Sequence, residues 1–439
     1  MNKINFLLFA GIGLGLITSC NQPNSTKDTE QKKTDTTTTK TTQSGLSQTA
    51  LTLPVLDALF YEPDFAGTLK SKVGLTDAQI EKLKSAAHTS LRELNEDGTA
   101  DAASARSATQ QYETQIKEII GENKLQQLQQ LVAERYSQGV EGLAPTKPNF
   151  VPADTRIVVN APAFRMDVFQ DGKLIKTYKV GIGYPEFPLP TGMRRADTLI
   201  FNPSWTPPDE PWVKGKFQPG KKVSGSSELN PLGVIKIPIG MPSLIHGGKP
   251  LEKIGSFASH GCVGLTNIQV QDFTATLAKL GGSDLDAENI RSLVKQGKTK
   301  PVKLSTPIPV DLRYESIVAE SGSLHIYRDV YERGTNTLEE AKRILAVYNI
   351  TYDSLSEQEK TDLNNALTEM NKDPRGNVVD GDSNQPSKNG VAPSEIARSK
   401  QGKITSKVKG EKEATVTIAA LKGKGYPAPV EINTGEPAK

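Results

Sequence analysis

The chain has 439 residues, 36% of them hydrophobic and 6% aromatic, and 53 Lys+Arg against 50 Asp+Glu give a formal charge of +3. The length suggests roughly two to four domains, the modest apolar content leaves part of the chain as linker or tail, and the near-neutral balance carries no whole-chain signature of nucleic-acid binding. With two cysteines, Cys20 and Cys262, and four histidines, a disulfide-stapled scaffold and a four-cysteine zinc site are excluded.

Residues 1–19 read as a signal peptide: Lys3 is followed by an uncharged, mostly apolar run to Ile17, too short to span a bilayer. The run ends Ile17-Thr18-Ser19-Cys20, which resembles a bacterial lipobox and implies lipidation of Cys20. Asn21 follows, and by that resemblance it favours the outer membrane. The expected location is the periplasmic side of a bacterial membrane, held by the N-terminal lipid anchor. Residues 20–45, rich in Thr, Lys, Ser and Gln, read as a flexible tether.

Residues 46–145 read as an all-α domain. Thr76 and Gln79 form a capping box, and Ile80, Leu83, Ala87, Leu91 and Leu94 then share one helical face until Gly98. Two further helices carry Tyr112, Ile116 and Ile119, and Leu125, Leu128, Val132 and Tyr136. His88 is expected at the surface. After Pro145 the period becomes two: Phe164, Met166 and Val168 precede an Asp171-Gly172 turn, and Ile175, Tyr178 and Val180 follow it. Strand-like runs recur at 198–201, 233–237, 244–246, 302–304 and 308–312, with helices after Asn267 and from Asp286 to Gly297. The region 152–312 is therefore mainly β with short helices. Residues 313–373 read as a β pair around Ser321-Gly322 and two helices. From 374 to 439 Gly, Pro, Ser, Asn and Lys dominate, and the tail is expected to be disordered.

The densest chemical signal is Ile245-His246-Gly247-Gly248 followed by Ser259-His260-Gly261-Cys262. A histidine within reach of a thiol can take its proton and return it to a leaving amine. The glycine before the cysteine allows a turn that aims consecutive N–H groups at one point, as an oxyanion hole requires. Spacing alone leaves open a structural pair, a metal site or a papain-type protease, although papain-type enzymes place the histidine downstream.

Ser259-His260-Gly261-Cys262 with the upstream Ile245-His246-Gly247 resembles the signature of the L,D-transpeptidases, the YkuD-type domain of bacterial cell-wall enzymes. Val180-Gly181-Ile182-Gly183, Leu189-Pro190-Thr191-Gly192, Asn202-Pro203-Ser204-Trp205 and Asn230-Pro231-Leu232-Gly233 resemble further family segments in the same order. The resemblance covers about residues 152–312 and implies a β-sandwich-like catalytic fold needing no cofactor. It implies Cys262 as nucleophile, His246 as proton donor and acceptor, and backbone N–H groups of His260, Gly261 and Cys262 in the oxyanion hole. Ser259 is expected to hydrogen-bond within the loop, and the His260 ring to pack rather than act as the base. Peptidoglycan stem peptides are the implied substrate. The acceptor would be a diaminopimelate amine, a lysine of a wall-anchored protein, or water. Carbapenems acylate the family.

One position departs from the pattern: the family usually has Arg two places after the cysteine, and this chain has Gly264. Arg194, Arg195 and Lys249 are the candidate replacements for binding a substrate carboxylate. Trp205 and Trp212 are candidate cleft walls. The rivals to transfer are an L,D-carboxypeptidase or amidase on the same scaffold, and a non-catalytic peptidoglycan-binding lipoprotein.

Overall fold

Alternating apolar residues build the first hairpin of the central sheet. In the computed structural model, strands β1 (Arg156–Asn160), β2 (Arg165–Gln170) and β3 (Lys173–Lys179) run antiparallel. Asp171 and Gly172 turn the chain between β2 and β3 with φ of 50° and 76°, the paired positive values of a tight hairpin turn. The structure describes residues 53–61, 64–92, 114–137, 148–208, 213, 215–240, 243–379 and 404–436. The leader, Cys20, the tether, Gly98 and Trp212 lie outside the described residues.

The other strands are β4 (Ile182–Gly183), β5 (Gly192–Phe201), β6 (Ile235–Pro238), β7 (Leu244–His246), β8 (Phe257–Ser259), β9 (Val263–Gly264) and β10 (Lys300–Arg313). Eight of the ten form one sheet in the order β3-β2-β1-β10-β5-β6-β7-β9, while β4 and β8 pair separately. The two runs expected at 302–304 and 308–312 are one strand, β10, whose pairing with β5 shifts register between Lys303 and Ile308. Helix α6 (Asn267–Leu280) starts on a capping box of Thr266 and Gln269, and α7 (Ala287–Lys295) on one of Asp286 and Asn289. Val270, Phe273 and Leu277 of α6 join Ile157, Val159, Phe201, Ile237, Ile245 and Val263 in the main core.

The N-terminal helices are α1 (Leu53–Leu59), α2 (Phe65–Thr68, continued by a π turn to Val73), α3 (Asp77–Arg92), α4 (114–120) and α5 (Glu122–Ser137). The box before α3 is present: the Gln79 N–H donates to Thr76 Oγ1 at 3.3 Å and the Thr76 N–H to Gln79 Oε1 at 3.1 Å. These helices share a core that also takes Met193 of β5.

Beyond the sheet, β11 (Ile317–Glu320) and β12 (Ser323–Tyr327) form a hairpin, α8 (Leu338–Val347) and α9 (Glu357–Met370) pack beside it, and β13 (Glu413–Thr417) pairs with β12. The expectation of a disordered tail from 374 is therefore corrected for residues 404–436. This stretch joins a core and edges that already exist: Val416, Ile418 and Leu421 are buried with residues of α8 and α9, and its main-chain hydrogen bonds extend existing strands. β13 extends β12, and residues 430–433 lie along β3, where the Thr177 N–H donates to the Val430 carbonyl and the Asn433 N–H to the Thr177 carbonyl, at 2.9 and 2.8 Å.

Candidate active site

Strand register brings the histidine to the cysteine. On β7, Ile245 and His246 pair in parallel with Val263 and Gly264 of β9. On the other side of β7, His246 stands opposite Lys236 of β6. Opposed residues share a sheet face and alternate residues return to it. Lys236, Leu244, His246 and Gly264 therefore look to one side, with Cys262 entering at the end of β9. The odd neighbours Ile235, Ile237, Ile245 and Val263 enter the main core on the other. On the site side, Trp205, Leu232 and Leu244 are buried together, with Phe217, Val223 and Cys262 partly buried against them. Trp205 thus forms part of the apolar wall behind the thiol, edge-on to Phe217 at 4.9 Å.

His246 is 3% exposed, and its Nδ1–H donates to the Gly247 carbonyl at 2.8 Å. That bond fixes the ring and leaves Nε2 as the basic nitrogen of a neutral imidazole. Burial, then the nearby Lys249 charge, holds His246 well below its ordinary value, against the pull of the Gly247 and Leu232 backbone. Burial likewise raises the Cys262 thiol, while the Leu244 backbone and the charges of Lys249 and Lys236 pull it down. At neutral pH the thiol and the imidazole are thus both held neutral, each chiefly by burial.

The loop that carries Cys262 is pinned at three carbonyls, those of Ser259, Gly261 and Cys262. Ser259 Oγ accepts from the Cys262 N–H at 3.0 Å and donates to the Cys262 carbonyl at 2.5 Å. The hydroxyl of Ser243, fully buried, donates to the Gly261 carbonyl at 2.9 Å. The peptide joining Gly261 and Cys262 is thus held on both sides, and the Cys262 N–H is engaged within the loop. The Cys262 N–H, expected in an oxyanion hole with those of His260 and Gly261, therefore has the Ser259 hydroxyl as a partner. Gly261 adopts φ +99°, a conformation that a side chain would strain. The Tyr184 N–H donates to the Ser259 carbonyl at 2.9 Å. The His260 ring packs edge-on against Tyr184 and Phe187, with centroids 5.1 and 4.6 Å away.

Residues 154–304 match the model of the L,D-transpeptidase catalytic domain, YkuD. By this match the segment falls in the YkuD family of L,D-transpeptidase catalytic domains. Among solved structures, the catalytic domain of the E. faecium L,D-transpeptidase is similar at 18% identity and a TM-score of 0.22, covering 37% of this chain and 98% of that one. An L,D-transpeptidase from Mycobacterium smegmatis aligns at 15% identity and a TM-score of 0.21, over 37% and 59%. L,D-transpeptidase 3 from Mycobacterium tuberculosis aligns at 16% identity and a TM-score of 0.22, over 37% and 62%. The chain thus spans under two thirds of these two mycobacterial proteins. A comparison with curated proteins gave no match.

Within the L,D-transpeptidase domain, the three candidate cations part company. Arg195, 3% exposed, points at the N-terminal helices: its Nε donates to Asp57 at 2.5 Å, its Nη1 to Asp197 at 2.8 Å, and its guanidinium lies 4.2 Å from the Tyr61 ring centroid. His88, expected at the surface, is half-exposed and joins this cluster 3.2 Å from Arg195. Arg194 is buried and donates to the carbonyls of Met193 and Thr191. Arg195 is thus engaged with the helices, which corrects its expectation as a substrate-binding cation, while the charges of Lys249 and Lys236 pull the Cys262 thiol down.

Lys249 runs across Gly264. A β-carbon on Gly264 would stand 2.7 Å from Lys249 Cγ and 3.1 Å from Cε. Burial lowers the Lys249 ammonium to about 8, against the opposing pull of Cys262. Sequence reasoning missed Lys236, Ser243 and Asn267. Asn267 Oδ1 accepts from the N–H groups of Gly248 and Val234 at 2.9 and 3.2 Å and so holds the histidine turn. For Lys236 a signal existed: one lysine interrupts Val234-Ile235-Lys236-Ile237-Pro238-Ile239, and it is fully buried.

Proposed function

We propose that the chain is a peptidoglycan L,D-transpeptidase that forms a thioester at Cys262. The observation that supports this best is the loop 259–262, whose Gly261–Cys262 peptide is held on both sides, next to the strand that carries the buried, neutral His246. Cys262 attacks the carbonyl of the diaminopimelate that precedes the terminal D-Ala of a tetrapeptide stem, and His246 takes the thiol proton. The N–H groups of His260 and Gly261 stabilise the tetrahedral oxyanion, an interaction whose loss typically costs about 3–4 kcal/mol. The intermediate collapses, the carbon–nitrogen bond breaks, and His246 protonates the departing D-Ala amine. An acceptor amine, deprotonated by His246, then attacks the thioester and restores the thiol. A diaminopimelate amine gives a 3–3 cross-link, a lysine of a wall-anchored protein gives a tethered protein, and water gives net carboxypeptidase action.

Lys249 serves as the cation for the substrate's carboxylate, the place filled in most of the family by Arg two residues after the cysteine. Cys20 carries the lipid anchor, and the domain works on the periplasmic side of a bacterial membrane, with the outer membrane favoured. The test is incubation of the purified chain with tetrapeptide muropeptides, with Cys262→Ala as control. Dimer products support the transferase, loss of D-Ala alone supports the carboxypeptidase, and no turnover supports a non-catalytic wall-binding protein.

A further inference from the structure

Three side chains from beyond the matched catalytic domain converge on one loop inside it. Residues 183–189 pass directly under the nucleophile turn: a β-carbon on Gly183 would stand 3.2 Å from Gly261 Cα, and one on Gly261 3.6 Å from the Pro188 carbonyl. Tyr184 and Phe187 of the same loop clasp the His260 ring. From the C-terminal part of the chain, the buried Tyr331 hydroxyl donates to the Gly183 carbonyl and accepts from the Leu189 N–H, each at 3.1 Å, closing the loop's two ends. At its tip, Glu186 is buried and accepts from the Thr405 N–H at 3.0 Å and from Thr405 Oγ1 at 2.7 Å, with Arg375 Nη2 at 3.4 Å. Tyr331 itself is set by Tyr314, whose ring stacks on it at 5.4 Å and whose hydroxyl accepts the Tyr331 N–H at 2.8 Å.

We infer that the C-terminal segment is a positioning element for the oxyanion loop, acting through Tyr331 on Gly183 and Leu189 and through Thr405 and Arg375 on Glu186. The inference rests on reading Cys262 as the nucleophile. The clamp touches no reacting atom. It restricts the backbone that His260 and Gly261 lean on, and so fixes where their N–H groups aim.

The test compares the full chain with its Tyr331→Phe and Glu186→Ala variants. In both, amide hydrogen exchange of peptides covering 183–189 and 258–264 should rise roughly threefold or more. Acylation of Cys262 by a carbapenem should slow about tenfold to a hundredfold. Alkylation of Cys262 by iodoacetamide, which uses no oxyanion hole, should change less than about twofold; a merely structural defect would move both reactions together. Wild-type exchange rates in both loops of both variants would overturn the inference. A wild-type chain that carbapenem does not acylate counts against the proposed function instead, and the exchange comparison still decides the role of the clamp.

Discussion

Gly264 and Lys249 occupy one space between them: a β-carbon on the glycine would meet the lysine's Cγ at 2.7 Å. A residue with any side chain at 264 and a lysine folded across β9 cannot coexist without one moving. The lysine stem is flexible, so it is the part that moves. Gly264→Ala should leave thermal stability nearly unchanged but swing the ammonium away from Cys262, raising the thiol's pKa. If that shift is about one unit, carbapenem acylation at pH 7 slows about tenfold. Gly264→Arg should behave likewise, and Lys249→Ala added to it should recover part of the rate, because the new guanidinium then has room. Intact-mass kinetics measure both.

The pH dependence follows from two directions. His246 is held well below 6.5, so it is already neutral at pH 7 and the acidic limb of the rate lies below that value. Lys249 is lowered to about 8, so it is charged below pH 8 and loses its charge as the pH rises through it. KM for an anionic tetrapeptide should therefore climb above about pH 8. In Lys249→Arg that climb should disappear up to about pH 10, because guanidinium stays protonated. Steady-state kinetics from pH 6 to 10 check this.

Ser259→Ala removes the hydroxyl that serves both the N–H and the carbonyl of Cys262. The freed peptide should cost about 1–3 kcal/mol, read as a roughly tenfold to hundredfold slower acylation with the melting temperature lowered by a few degrees. Gly261→Ala should be inactive, because φ +99° is strained for alanine.

The buried pair Asp57 and Arg195 fastens α1 to β5, each side chain being 3% exposed. Asp57→Ala leaves the guanidinium with Asp197 as its remaining carboxylate and should destabilise the chain by about 1–3 kcal/mol in chemical denaturation. The double variant Asp57→Leu/Arg195→Met should recover most of that loss, since an apolar pair needs no desolvated charge.

Much of this architecture is legible where local chemistry is strong. Asp171-Gly172 announces its turn, Thr76 and Gln79 announce α3, and the spacing of Val270, Phe273 and Leu277 announces α6. Strands of two or three residues such as β4, β8 and β9 show no period, because their pairing comes from the loops around them. Ala414, Val416 and Ile418 do alternate at the strand period, but inside a stretch so rich in Gly, Lys and Pro that the pattern is masked, while the main-chain bonds of 430–433 to β3 demand no apolar pattern. At the site, Cys262 and His246 are legible from their glycine-flanked motifs. Charge alone does not tell which way a residue faces: Arg195 shares its face with Met193, and both point into the helices. Lys236 is marked in the sequence as a lone charge in an apolar run, but its place opposite His246 comes from the register.

The Glu186–Thr405 contact spans 219 positions. A ribosome completes the thiol, its histidine and the oxyanion turn long before it makes the residue that braces them. Premature termination between 313 and 405 would yield a chain with Cys262, His246 and the glycine turn between them and without the Glu186–Thr405 contact.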